Sequence, residues 1–329
     1  RRRTARRAGV EWRLRVVLRR IDDRTGHGDN RSYCLTRQSR RSPVAPNRPI
    51  PESARSRQPV ITSSGRRFGV RIFLADMLKL YTFNISHFSE KARWTLDYEG
   101  IAYEEKVLLP GPHQLVTRRI ARRTHVPVLG HDGQYVQGSS AILDYIADRL
   151  GGNRLTAIDP TERAKARELE TTLDQAFGLG VQQVLYSALL EDRRTVVDLW
   201  SYGGPFWARG FYAVAYPAVA SVVKRMYRTT DAAAVARTKQ RFVTTFDELD
   251  AVLAKQPYLG GEAPNRLDIT LAALLAPVSR VPEHRMQWPA MPPALADFEA
   301  SLSGRPTWNH VLRMYRNHRK PNHPHAARA

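Results

Sequence analysis

The sequence predicts an α+β protein in which a small mixed domain precedes an all-helical domain. Three observations lead to this class. Short apolar runs alternate with helical patterns over residues 77–150, helical repeats of apolar residues continue from Pro160 onward, and the first 76 residues show neither pattern. We expect an extension at 1–76, a mixed domain at 77–152, a helical domain at 160–319 and a tail at 320–329.

A polar turn separates the first predicted strand from the first predicted helix. Leu78–Phe83 favours a strand, Asn84 ends it, and Ser86 stands where a helix N-cap belongs. The helix that follows stops at Gly100. A hydroxyl at such a turn lies beside free backbone N–H groups and the positive end of a helix dipole. The turn is therefore suited to an anion, including a thiolate.

The rest of the mixed domain continues the alternation of strands and helices. The pattern predicts a strand at 102–108, a basic helix at 113–121, strands at 126–129 and 135–137, and a helix that opens at Ser139. The resulting order, βαβα–ββα, is thioredoxin-like. Pro127 interrupts an apolar strand pattern, so it belongs either at a strand edge or start, or in a cis turn.

The helical domain contains two further notable stretches. Asn265 and Asp268 have the spacing of a helix cap in which the carboxylate reaches back to the cap residue, which explains Asp268 better than catalysis does. Residues 193–230, hereafter the insertion, are rich in aromatic side chains and interrupted by Gly203-Gly204-Pro205. The insertion is open to three interpretations: extra helical core, a lid or wall for an apolar ligand, or a patch that touches a membrane surface.

Charge and cysteine content restrict the function classes. The net charge is +21, but residues 1–76 hold 20 Arg and 6 acidic residues, a net of +14. The overall charge therefore does not indicate a nucleic-acid-binding fold.

Since Met77 is the first Met, 1–76 is interpreted as translated sequence upstream of the true start, with a transit peptide as the alternative. No cysteine follows Cys34, which excludes a disulfide framework, a cysteine zinc site or a thiol nucleophile beyond residue 77.

Taken together, the motifs resemble the soluble glutathione S-transferase family over residues 77–319. The resemblance is carried by the strand–turn–helix Tyr81–Trp94, by Val126-Pro127-Val128-Leu129, by Gly138-Ser139-Ser140-Ala141-Ile142 and by the cap Asn265–Asp268. It implies a cytoplasmic, dimeric detoxification enzyme without a metal or membrane span. Such an enzyme uses glutathione as co-substrate and activates its thiolate for attack on a hydrophobic electrophile.

The resemblance also implies roles for individual residues. Family members hold the glutathione sulfur with a tyrosine, a cysteine or a serine. Thr82 occupies the tyrosine position and no cysteine is present there, so Ser86 is the implied catalytic residue. The interpretation that Ser86 only caps its helix stays open. The implied glutathione-binding residues are His113, Val126, cis Pro127, Gln137 and Ser139, and the implied hydrophobic pocket contains Phe88, Tyr186 and Trp207.

Three functional hypotheses follow. The first is the glutathione transferase just described. The second is a non-catalytic binding or scaffold domain of the same fold, favoured by Gly138, where the family has Glu or Gln, and by the aromatic insertion. The third is a nucleic-acid binder acting through 1–76. His87 and His125 are expected to lie on the surface.

Overall fold

The computed structural model describes residues 77–157 and 159–320. The expectations for 1–76 and for the end of the tail fall outside these residues. The mixed domain contains strands β1 Lys79–Thr82, β2 Glu104–Val107, β3 Val128–His131 and β4 Gln134–Gln137, and helices α1 His87–Glu99, α2 Gln114–Ile120 and α3 Ser139–Arg149. This is the predicted βαβα–ββα order, and the predicted strands differ from these bounds by one or two residues.

The four strands form one mixed sheet in the order β2-β1-β3-β4. β1 pairs in parallel with β2, with Lys79 opposite Glu104, and antiparallel with β3, with Leu80 opposite Leu129. Parallel neighbours require a crossover, which α1 provides. Helices α1 and α3 pack against each other, and the apolar side chains between them and the sheet form a small core of Leu78, Leu80, Ala92, Leu96, Tyr103, Leu129, Ile142 and Ile146.

The second part of the described chain is all-helical, as predicted. Its helices are α4 Pro160–Leu173, α5 Leu179–Leu189, α6 Arg193–Ser201, α7 Ala208–Tyr227, α8 Ala232–Leu253, α9 Arg266–Ser279, α10 Ala296–Leu302 and α11 Pro306–His318. The centre is α9, in which every residue is buried and which packs against α1, α4 and α11. The thioredoxin-like part and the helical part therefore meet along the helix that begins at the polar turn.

The helix cap at Asn265 is present as the sequence predicts. The Asn265 side chain accepts a hydrogen bond from the N–H of Leu267 (2.8 Å), and Asp268 accepts one from the N–H of Asn265 (2.9 Å). Asp268 also accepts from the N–H of Leu259 (2.7 Å) and lies 3.0 Å from His310. Its carboxylate is thus used for folding, which agrees with the cap interpretation and not with catalysis.

One helix differs from its predicted form. Apolar residues recur at helical spacing from Glu168 to Leu190, as in one continuous helix, but a π-helical turn at Asp174–Gly178 separates α4 from α5. A side chain at Gly178 would come within 2.7 Å of Phe88, which lies on α1. Because residue 178 is a glycine, the backbone of the π-helical turn can pack closely against α1, the helix that Ser86 caps. None of the described helices is both long and apolar enough to cross a membrane.

Candidate active site

Ser86 lies between β1 and α1 and is only 8% exposed. Its backbone is extended (φ −87°, ψ 115°), and its Oγ accepts a hydrogen bond of 3.1 Å from the N–H of Ser89. This is the geometry of an N-cap. A hydroxyl group accepts and donates at the same time, so capping leaves the proton of Ser86 available to a second partner. The capping and the thiolate-holding interpretations are therefore compatible.

Buried side chains of α1 fix the backbone of the turn, residues 83–86. Arg93 donates to the carbonyl oxygen of Phe83 (2.6 Å), and Ser89 Oγ accepts from the N–H of Phe83 (3.3 Å). Arg93 is in turn held by Glu90 (2.8 Å) and by Glu105 on β2 (2.6 Å). Burial alone would raise the pKa of Glu105, but Arg93 and Arg285 lower it to about 2, so the carboxylate stays charged.

His87 is buried, so its predicted surface position is wrong. The side chain is 3% exposed, and its Nε2 lies 3.0 Å from the carbonyl oxygen of Gly178. Burial lowers the pKa of His87 to about 4, so the ring is neutral at physiological pH and its Nε2–H donates to this carbonyl. This contact could not be predicted from local sequence, because it depends on the π-helical turn that presents the Gly178 carbonyl.

Two other hydroxyl side chains, those of Tyr81 and Thr82, lie at the end of β1, and neither is placed as Ser86 is. Thr82 is fully buried and its Oγ1 donates to Glu105 (2.7 Å). Tyr81 points to the other side of the strand, as strand alternation predicts, where its ring centroid lies 6.4 Å from that of Tyr135. Ser86 consequently supplies the hydroxyl at the N-cap of α1. Within the described residues neither Ser86 nor Ser89, one turn further on, donates a side-chain hydrogen bond, but Ser89 is fully buried whereas Ser86 retains some exposure.

Two backbone features near Ser86 are suited to a peptide ligand. The Val126–Pro127 peptide is cis, and among the described residues neither the N–H nor the carbonyl of Val126 forms a hydrogen bond. α3 begins at Ser139, which is buried, and no side chain caps this helix. The first N–H groups of α3 therefore remain available for a carboxylate.

His113 and Gln137 are less available than the resemblance implies. The Nδ1 of His113 accepts from the N–H of Gly111 (3.0 Å), and burial lowers the pKa of His113, so the ring is a poor cation at neutral pH. The Gln137 amide donates to the carbonyls of Arg123 (2.7 Å) and His125 (2.8 Å). Gln137 thus holds the loop that leads into Pro127, and His125 is exposed as predicted.

The three pocket residues do not form one cluster. Phe88 packs over Gly178, Tyr186 accepts a hydrogen bond from Trp200 (2.9 Å), and Trp207 is 47% exposed. Within the described residues, no aromatic contact joins Phe88 to Tyr186 or Trp207. Tyr186 and Trp200 belong to the core, whereas Trp207 lies at the beginning of α7.

The insertion instead reaches the turn through the loop between α6 and α7. Asn84 donates from its side chain to the carbonyl oxygen of Tyr202 (2.9 Å), and Tyr212 donates to the carbonyl of Pro110 (2.6 Å). Gly203 has φ +65°, and a Cβ there would lie 2.2 Å from the Asn84 amide nitrogen. The sequence analysis did not identify Asn84 as a contact residue. The sequence signal for this contact was the Gly203-Gly204 pair, since glycine has no side chain and lets another segment approach its backbone closely.

A second buried charge cluster lies beneath the first turn of α3. Lys91 on α1 is fully buried, and its Nζ lies 2.6 Å from Glu170 and 3.0 Å from both Asp174 and Ser140. Burial favours the neutral amine, but Asp174 and Glu170 outweigh this and raise the pKa of Lys91, which stays protonated. Lys91 therefore ties α1, α3 and α4 together beside the candidate carboxylate site. Sequence analysis missed it because one lysine in a helix is normally exposed.

Comparison with known proteins identifies the family to which the sequence and its fold are similar. The glutathione S-transferase N-terminal domain model matches residues 80–154, and the C-terminal domain model matches residues 232–308. A glutathione S-transferase of Pseudomonas putida is 36% identical over 95 residues, 28% of this chain and 42% of that protein. Protein LigF of Sphingobium is 34% identical over 105 residues, 30% of this chain and 41% of that protein.

The matched segments thus span about two-fifths of these curated relatives. Among solved structures, a glutathione S-transferase of Ceriporiopsis subvermispora in complex with glutathione shares the fold. Its TM-score is 0.52 at 15% identity, over 74% of this chain and 98% of that one. The whole insertion falls between the two matched segments. The chain belongs to the glutathione S-transferase family.

Proposed function

We propose that this chain is a glutathione transferase in which Ser86 stabilises the glutathione thiolate for attack on a hydrophobic electrophile. The observation that carries the proposal is the position of Ser86. Its oxygen is fixed by the N–H of Ser89 at the beginning of α1, and its proton is available to a ligand. Ser86 acts as a hydrogen-bond donor to the sulfur and forms no covalent bond with the substrate.

The physical effect required of this site is modest. A free thiol has a pKa of ~8.5, so only a few per cent is ionised at neutral pH. Lowering that pKa by about two units takes ~2.7 kcal/mol of preferential stabilisation of the thiolate. A hydrogen bond to a charged acceptor contributes about 1.5–3 kcal/mol, and the helix terminus adds about 0.3–1 kcal/mol. The hydroxyl and the first turn of α1 together are sufficient.

The rest of glutathione is assigned to the two backbone features beside Ser86. We assign the cysteinyl backbone to Val126, whose N–H and carbonyl lack partners within the described residues. The γ-glutamyl carboxylate is assigned to Ser139 and the uncapped beginning of α3. His113 serves as a neutral hydrogen-bonding side chain near the glycine end, and Gln137 acts through the loop that precedes Pro127.

The electrophile is assigned to the side of the turn that faces the insertion. There the Tyr202–Pro205 loop contacts Asn84, and Tyr212 reaches the Pro110 carbonyl. These contacts support the lid-or-wall interpretation of the insertion. The thiolate attacks an electrophilic carbon and a new carbon–sulfur bond forms. With an aryl halide the displaced electron pair leaves with the halide ion, and with an unsaturated carbonyl it moves onto the carbonyl oxygen as an enolate, which then takes up a proton.

The test combines binding to immobilised glutathione with conjugation of a panel containing an aryl halide, an unsaturated carbonyl and an epoxide. Ser86→Ala removes donor and cap together, whereas Ser86→Thr keeps both. We expect Ser86→Ala to lower conjugation near pH 6.5 by about 10- to 100-fold and Ser86→Thr to retain most of it. Asp231→Ala, which removes the N-cap of α8, controls for cap loss. A wild-type protein that neither binds glutathione nor conjugates any electrophile contradicts the proposal.

A further inference from the structure

Helix α7 presents an unusual outward face. It is 20 residues long, which corresponds to about 30 Å. Ten large apolar side chains of the described chain are classed as exposed, and six of them lie between residues 206 and 226. Two of them, Phe206 and Trp207, directly precede α7. The other four lie on α7, three, eight and four residues apart, and therefore on one side of the helix. This α7 stripe consists of Phe206 (98% exposed), Trp207, Phe211, Val214 (85% exposed), Val222 and Met226.

The insertion accounts for most of the net positive charge of the described chain. The insertion has six basic residues and one acidic residue, a net of +5. Residues 77–320 together have 31 basic and 25 acidic residues, a net of +6. The remainder of this part of the chain is therefore nearly neutral. No acidic residue occurs within α7, whose basic residues are Arg209, Lys224 and Arg225.

An arginine-lined cavity adjoins the stripe. It has a volume of about 450 Å³ and lies between α6 and α7, lined by Arg193, Arg194, Val197, Arg209, Gly210 and Ala213. Arg209 pairs with Asp198 (2.7 Å), and Arg193 donates to the Ala213 carbonyl while its guanidinium lies over Tyr216. Arg194 forms no ion pair with any described residue. The cavity thus holds more positive than negative charge and is suited to a phosphate group.

We propose that the α7 stripe and this cavity form a docking surface for a membrane that contains anionic phospholipids. Exposed aromatic and aliphatic side chains beside a surface of net positive charge are the features that place a helix in the plane of a lipid interface. The stripe enters the acyl boundary, while the cavity binds a lipid phosphate. A nucleic acid would use the positive charge but not the exposed aliphatic side chains of Val214, Val222 and Met226, so the lipid surface accounts for both observations.

The position of this surface is related to the candidate site. Phe206 and Trp207 directly follow the Tyr202–Pro205 loop, which contacts Asn84 in the turn that ends at Ser86. A docked membrane would therefore lie beside the wall assigned to apolar electrophiles. The docking proposal itself rests only on the exposed side chains and the charges of the insertion, and it stands or falls independently of glutathione chemistry.

The test uses the full chain with an environment-sensitive fluorophore on the stripe. Cys34 is the only cysteine, so Cys34→Ser allows a single label at Val214→Cys, and the matched control carries Leu115→Cys, an exposed apolar position on α2 (68% exposed). The probe membranes are phosphatidylcholine vesicles with or without about 30% phosphatidylglycerol. We expect a blue shift and at least an about twofold rise in emission at position 214, but not at 115, with the anionic vesicles.

This readout separates the stripe from the Arg-rich residues 1–76, which could adsorb to anionic vesicles without bringing α7 into contact. Arg194→Gln should weaken the response at 214 several-fold, whereas Arg149→Gln, an exposed arginine on α3, should not. An unchanged signal at 214 overturns the proposal. So does a signal that rises with protein concentration without vesicles, which would show a second copy on the stripe, or one produced by duplex DNA alone.

Discussion

Replacing Gly203 with alanine tests whether the insertion is packed against the turn that carries Ser86. Gly203 has φ +65°, and its missing Cβ would lie 2.2 Å from the amide nitrogen of Asn84. That amide donates to the carbonyl of Tyr202 (2.9 Å). Alanine therefore acts in two ways, since it must adopt a left-handed backbone and must also displace the side chain that links the loop to the turn.

The size of each effect follows from the local geometry. A left-handed backbone costs a residue with a Cβ about 1–2 kcal/mol. Displacing the buried Asn84 amide from its acceptor leaves polar groups unsatisfied, which costs about 1–3 kcal/mol more. We expect Gly203→Ala to lower the free energy of unfolding by about 2–4 kcal/mol in total. Gly133→Ala is the matched control, because Gly133 has φ +72° and no atom within 4 Å of the added Cβ.

Urea unfolding of both variants gives the comparison directly. Gly133→Ala should show only the backbone effect of about 1–2 kcal/mol. In an Asn84→Ala background, the effect of Gly203→Ala should fall to the same value, because the clashing amide is gone. Equal destabilisation by Gly203→Ala and Gly133→Ala in the wild-type background would refute the packing of the insertion against the turn.

Two further substitutions probe the buried groups around α1. Lys91→Met leaves Asp174 without a cation and Glu170 with Arg266 as its remaining buried partner, and it should lower the free energy of unfolding by about 3–5 kcal/mol. Lys165→Met, which breaks a partly exposed pair, should change it by less than about 1 kcal/mol. The pKa of His87 in the folded protein, about 4, lies below its ordinary value of 6.5. As the pH falls, the unfolded chain therefore binds a proton at this residue before the folded chain does, and the free energy of unfolding decreases between pH 6.5 and pH 4. His87→Gln should therefore remove about 2 kcal/mol of the stability lost between pH 7.5 and 5.0. Burial also lowers the pKa of His125, but by less, so His125→Gln should remove a smaller part of that loss, as urea unfolding at the two pH values will show.

The sequence was sufficient to predict the order of elements because local signals agreed with the tertiary structure. Ser86 and Gly100 mark the ends of α1, and Asn265 with Asp268 marks the beginning of α9. These signals act over three or four residues, so they can be recognised without knowing what packs where. The same locality made Ser86 recognisable as a residue at a helix terminus.

Contacts between distant segments could not be predicted in this way. The burial of His87 depends on a carbonyl 91 residues away, and the Asn84–Tyr202 hydrogen bond joins residues 118 apart. The engagement of Gln137 with the loop before Pro127 likewise depends on how β4 aligns with that loop. Residue type indicated what each side chain can do, but its partner is set by the packing of the two parts of the fold.

The most direct test of the central claim is the ionisation of glutathione bound to the protein. Ultraviolet absorbance of the thiolate, recorded against pH, gives the pKa of the bound thiol in wild type, Ser86→Ala and Ser86→Thr. We expect a value about two units below that of free glutathione in wild type and Ser86→Thr, and a rise of about 1–2 units in Ser86→Ala. A bound thiol with the same pKa in wild type and Ser86→Ala would contradict the role assigned to Ser86 and leave that hydroxyl with its capping role alone.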